Sequence, residues 1–157
     1  MTARHTVRWL SSLGIIIALR SGNRPWGKDE NTHRAYVTSQ LLLLWWHFFD
    51  HVRWLQQIEW LSGDANKMKN VAFTGFAFSA AISFIYNLRL YLNPTPEILS
   101  DENRLQAIIR QIIKHGVTVI ANLHISELYK THEVICGACG AIASVVDIYD
   151  TYPRLKN

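Results

Sequence analysis

Two clusters in this chain have residue types and spacing that could do chemistry. Cys136-Gly-Ala-Cys139 has the C-x-x-C spacing of thiol–disulfide enzymes, in which a helix N-terminus stabilises the first thiolate. His132 lies just before it and would give zinc a third ligand, but a closed structural site takes four. Both cysteines fall inside an apolar run of glycine and alanine with no strand before it. They are expected to act as small apolar residues. The second cluster, His47, Asp50 and His51, falls at i, i+3 and i+4, on one helical face. Its H-x-x-D-H order is similar to the H-x-x-E-H zinc-protease motif, with aspartate in place of the basic glutamate. The shorter carboxylate makes a poor general base in that geometry. These residues are expected to form the polar edge of an aromatic helix, with Asp50 paired to Arg53 or to a neighbouring helix. No phosphate-binding glycine loop or nucleophile elbow is present. The expectation is a non-enzyme with no catalytic residue, metal or cofactor.

Five helical segments must hold these residues. A first helix is expected over residues 7–20, where Arg4 and Arg8 precede an apolar stretch. That pattern has the charge and length of a signal peptide. No small-x-small cleavage site follows, so a packed or interfacial helix is expected. A loop with Gly22, Pro25 and Gly27 leads to a second helix over 32–61, with Thr32 as its N-cap. It carries Trp45, Trp46, Trp54 and Trp60, four of the six tryptophans. These four, with Phe48 and Phe49, are expected at a membrane–water interface, because such rings are apolar and most carry a polar tip.

A third segment, 71–92, has no charged residue through position 88, about the minimum length for a membrane span. Arg89 and Tyr91 close it, and Pro94 and Pro96 break the chain. Residues 101–130 read as an amphipathic helix: Leu105, Ile108, Ile109, Ile112 and Ile113 face one way, Arg104, Arg110 and Lys114 the other. The last segment, 133–150, is rich in small residues. Gly137 with Ala141, and Gly140 with Ser144, form small-xxx-small pairs suited to close helix packing and self-association. Nothing alternates with period two. The expected fold class is all-α, a single membrane-associated domain over 1–157, with amphipathic helices and one or two transmembrane or hairpin helices.

Composition narrows the partner. Of the 157 residues 49% are hydrophobic and 18% charged, which excludes a disordered chain. Lys and Arg number 16 against 12 Asp and Glu, and the basic residues flank apolar blocks. An anionic lipid bilayer is the expected partner, and nucleic acid is not.

Several of these blocks resemble one family. Trp46-His-Phe-Phe-Asp50-His-Val-Arg53-Trp54-Leu55 is similar to the block in peroxisomal biogenesis factor 11 (peroxin-11) proteins, where an aromatic run leads into Asp and then Trp-Leu. The run from Cys136 to Tyr149, with Gly137, Gly140 and Ser144, resembles that family's closing Gly-x-x-Gly-x-x-x-Ser helix. Residues 107–123 fall where the family has its penultimate helix, and Leu19-Arg20-x-Gly22 resembles a basic step near its start. The order and spacing agree from about residue 15 onward. Family members are usually longer, so part of the N-terminal amphipathic region is expected to be missing or replaced.

The resemblance implies a membrane protein of peroxisomes or glycosomes that promotes organelle elongation, fission and proliferation. It implies Asp50, Arg53, Trp54 and Leu55 as family-motif residues and homo-oligomers or hetero-oligomers with family members. It also implies contact with the organelle fission machinery and termini in the cytosol. A small metabolite channel, lined by Asp50, His47 and Arg53, and a non-enzymatic membrane adaptor are the alternatives. The basic flanks Lys67/Lys69 and Arg154/Lys156 suggest a two-span hairpin. The 32–61 helix, helped by 101–114, is the expected membrane wedge.

Overall fold

A computed structural model describes residues 3–22, 26 and 29–152, with side chains from residue 11 onward. Pro25, Gly27, Arg154 and Lys156, and the side chains of Arg4 and Arg8, lie outside what is described. Every regular element among the described residues is a helix: α1 (Ala3–Arg20), α2 (Glu30–Gln57), α3 (Ala65–Leu92), α4 (Pro96–Leu99), α5 (Glu102–Ile125) and α6 (Glu133–Thr151).

Aspartates start three of the long helices. Asp29, rather than Thr32, caps α2: its carboxylate accepts from the amide and hydroxyl of Thr32, both at 3.0 Å. Those bonds, the amide first, hold the Asp29 carboxyl below its ordinary pKa. Asp64 caps α3 through the amides of Asn66 and Lys67, six residues earlier than expected from the apolar run alone. Asp101 caps α5 in the same way. In each case an orphan helix N–H finds a carboxylate where the helix dipole favours one.

α2 ends at Gln57 rather than continuing to residue 61. The amide of Trp60 donates to the carbonyl of Leu55 (2.9 Å) and that of Glu59 to Gln56 (3.1 Å), with Glu59 at φ +62°. This is a Schellman closure with glutamate where glycine is usual. α5 ends at Ile125, with Glu127 in the same left-handed conformation (φ +63°). The polar segment 127–130 is therefore a turn.

The long helices pack in order: α1 on α2, α2 on α3, α3 on α5, and α5 on α6. Neighbours run antiparallel. Ser39 of α2 meets Ser79 and Ser83 of α3 while the later Trp45 reaches the earlier Val71, and Arg110 early in α5 reaches Asp150 late in α6. α3 and α6 are the two helices long and apolar enough to cross a membrane. They run parallel, with α5 between them, so α5 itself is the connection that joins the two.

The array is curved. Its concave side holds a cleft of about 470 Å³ bordered by α2, α3, α5 and α6. On the opposite face of α3 and α5, Phe84, Ile85, Ile113, Val117 and Ile120 line a shallow apolar groove.

Candidate membrane surface and polar cleft

The aromatic residues of α2, and Trp60 just past its end, divide by exposure. Trp45, Phe48 and Trp60 are exposed (48%, 63% and 80%), while Trp46, Phe49 and Trp54 are half-buried. Trp46 stacks on Phe76 of α3, with ring centroids 4.5 Å apart, and meets Phe73 edge-on. Trp45 stays anchored although exposed: its indole N–H donates to the carbonyl of Val71 at 3.2 Å. Leu41, Trp45 and Phe48 recur at i, i+4 and i+7, so they form one outward stripe.

Asp50 lies 3.7 Å from Arg53 and is 3% exposed. His47 and His51 are buried too, and the Nδ1 of His51 bonds the carbonyl of His47. The cluster is thus an interior feature rather than a polar edge. His47 and His51 face a cavity shared with Ser12 and Ile16 of α1. Leu55 lines the same cavity, and the carbonyls of Trp54 and Leu55 accept the amides that close α2. The four family-motif residues therefore join an ion pair, a helix end and the α1 seat.

At the other cluster, Cys139 is buried and Cys136 points its thiol at the carbonyl of Ala121 (3.8 Å). Both thiols are free, and Nδ1 of His132 accepts from the amide of Val134 as the N-cap of α6. The small residues of α6 touch little. A Cβ added at Gly137 or Gly140 would meet nothing within 4 Å, and Ala141 and Ser144 are exposed.

Close helix crossing occurs elsewhere, in α3. A Cβ on Gly75 would come within 2.5 Å of the Trp45 ring, and Ala72 is fully buried. One and two turns on, Ser79 and Ser83 face Ser39 of α2, with hydroxyl oxygens 3.1 and 3.2 Å from that of Ser39. The Ser79 hydroxyl also donates to the Ser39 carbonyl (2.9 Å). Gly75-x-x-x-Ser79-x-x-x-Ser83 is a small-xxx-small series, so the signal for this seam was present in the sequence.

A second missed feature clasps α5 to α6. Arg110 and Gln111 both bond the Asp150 carboxylate (3.0 and 2.8 Å), and Lys114 pairs with Asp147. The Arg110 guanidinium also sits over the Tyr149 ring, 4.9 Å from its centre. Cations one turn apart at 110 and 114, facing acids at 147 and 150, are the readable sign. The polar face of α5 thus meets a helix rather than water.

The remaining surface is strongly apolar. Leu13, Ile16 and Ile17 on α1, Phe78 and Ile85 on α3, Ile113 and Ile120 on α5, and Val134, Ile142 and Val145 on α6 are all exposed. Soluble monomers rarely expose contiguous apolar area on this scale, whereas a bilayer is its natural solvent.

No curated protein and no solved structure matches the chain. The sequence model of peroxisomal biogenesis factor 11 matches residues 1–152, reaching further back than the blocks legible by eye. With that match covering nearly all of its 157 residues, the chain belongs to the peroxisomal biogenesis factor 11 family, a non-enzymatic family of peroxisome biogenesis factors.

Proposed function

We propose that this chain sits in the peroxisomal (or glycosomal) membrane and remodels it, promoting elongation and fission. The observation that carries this reading is the apolar surface shared by α1, α2, α3, α5 and α6, in a chain of this family. α3 and α6 serve as anchors, being long enough at about 1.5 Å per residue to cross or nearly cross an apolar layer of about 30 Å.

The wedge falls to α1 and α2. Ile16 of α1 and Phe48 of the α2 stripe line the same cavity, and Leu13, Ile17, Leu41 and Trp45 are exposed on the two helices, which supports an apolar patch that enters one leaflet. An amphipathic insertion to headgroup depth expands that leaflet and favours curvature. α5 contributes less to this than its pattern suggests, because Arg110 and Lys114 are engaged by α6. Of the four small residues expected to join copies, Gly137 and Ala141 supply the contact, since nothing in the same chain lies within 4 Å of a Cβ added at Gly137, whereas Gly140 and Ser144 line the inner cleft. Clustered wedges then add their effects. Anionic lipid, family members and the fission machinery are the partners this reading requires.

The channel alternative gains nothing from Asp50, His47 and Arg53. Asp50 and His47 are buried, and of the three residues His47 alone lines the α1–α2 cavity. Purified chain added to anionic liposomes tests the main reading. Tubules visible by electron microscopy, reduced by Trp45→Ser with Phe48→Ser, are expected. Bound protein with spherical vesicles throughout reduces the chain to an adaptor.

A further inference from the structure

Apart from the seam serines Ser39, Ser79 and Ser83, the concave cleft has a polar lining on α5 and α6 that neither helix packing nor a lipid-facing surface requires. Its floor is the inner stripe of α5, from Lys114 and His115 through Thr118 to Asn122 and Ile125. That stripe is about 16 Å long, from 11 residue steps at 1.5 Å each. Its volume, about 470 Å³, lies within the range of small-molecule sites.

Asn122 is 4% exposed, and its buried amide nitrogen has no hydrogen-bond partner. Buried donors are almost always paired in native proteins, so this one points to an absent acceptor. Acceptors for a ligand hydroxyl are also at hand. The hydroxyls of Thr118 and Ser144 spend their protons on the carbonyls of Lys114 (2.7 Å) and Gly140 (2.9 Å), leaving oxygen lone pairs. The cleft's two charges, Lys114 and Asp147, are paired with each other, so nothing there calls for an ionised ligand. Leu43, Phe76, Ala80 and Ala121 give the wall its apolar part, and beside them Ser39, Ser79 and Ser83 bond one another across the α2–α3 seam.

We propose that this cleft binds one neutral amphiphile of the monoacylglycerol kind, with hydroxyl and ester oxygens on a single hydrocarbon chain. Asn122 donates to an oxygen of the ligand, Thr118 and Ser144 accept from its hydroxyls, and the apolar wall covers its chain. The site is distinct from the apolar surface to which remodelling is assigned.

The test uses the purified full chain in detergent and a monoacylglycerol carrying a photoactivatable diazirine in its acyl chain. Saturable labelling is expected within residues 114–125 and 140–147, displaced by unlabelled monoacylglycerol but not by the fatty-acid anion of equal length. Loss of one hydrogen bond in Asn122→Leu should weaken binding about tenfold. Gly140→Leu should reduce labelling as well by filling the cleft. An added Cβ there meets no neighbour, so that variant keeps the fold if Asn122→Leu does not. Labelling no stronger in the cleft than at Phe78 and Ile85, equal labelling in Gly140→Leu, or equal displacement by the anion overturns the proposal. Because binding is read in detergent, the result is independent of whether the chain bends membranes.

Discussion

Gly75 and Gly137 lie in the two most apolar helices and serve opposite surfaces. At Gly75 α2 lies close on α3, with the Trp45 ring and the Leu42 carbonyl where a Cβ would be. Any side chain there must push the helices apart. Gly75→Leu is expected to lower stability by about 1–3 kcal/mol, the usual range for overpacking. Gly137 borders open space, so Gly137→Leu should leave the unfolding free energy unchanged or slightly raised, since leucine is the better helix former. If α6 joins copies, the same substitution lowers cross-linked oligomer yield. Denaturant unfolding in detergent, paired with cross-linking, reads both effects. A Gly137→Leu chain that unfolds as easily as Gly75→Leu would contradict the assignment.

Helix ends are decided by features of unequal legibility. Breaks at Gly63, Pro94 and Pro96 and the long apolar runs were enough to place every long helix. Asp29, Asp64 and Asp101 then set the starts, and each is a residue type that signals a cap. The end of α2 was hidden because Glu59 gives no glycine signal while adopting glycine's conformation. A left-handed backbone costs a residue with a Cβ about 1–2 kcal/mol. Glu59→Gly should therefore stabilise the chain by about 1 kcal/mol in denaturant unfolding. Glu127→Gly should gain less, because Glu127 also pairs with Lys69 at 3.8 Å. A loss of stability in Glu59→Gly would show that its side chain holds more than the turn. The functional residues were only partly legible for a similar reason. Composition showed that α2 is aromatic, but only the position of Phe73 and Phe76 decides that Trp46 turns inward while Trp45 and Phe48 turn out.

The antiparallel order α2, α3, α5, α6 fixes which chain ends share a side of any membrane the bundle crosses. Trp26, before α2, stacks on Tyr86 late in α3, and Lys69 early in α3 meets Glu127 just past α5. Hence Ser62 and Thr131 lie at one end, and Ser100 and Tyr152 at the other. If α3 and α6 both cross, α5 between them must cross as well. In a chain with Cys136 and Cys139 replaced by alanine, single cysteines at Ser62 and Thr131 should react with an impermeant maleimide from the same side. Cysteines at Ser100 and Tyr152 should react from the opposite side. Reaction of Ser62 and Ser100 positions from one side would rule out that arrangement. The central claim, that the chain belongs in the peroxisomal membrane and shapes it, is tested most directly by imaging a tagged copy on overexpression. Elongated or more numerous peroxisomes carrying the tag are the expected result. A reticular or mitochondrial pattern, or tagged peroxisomes of unchanged shape and number, would contradict it.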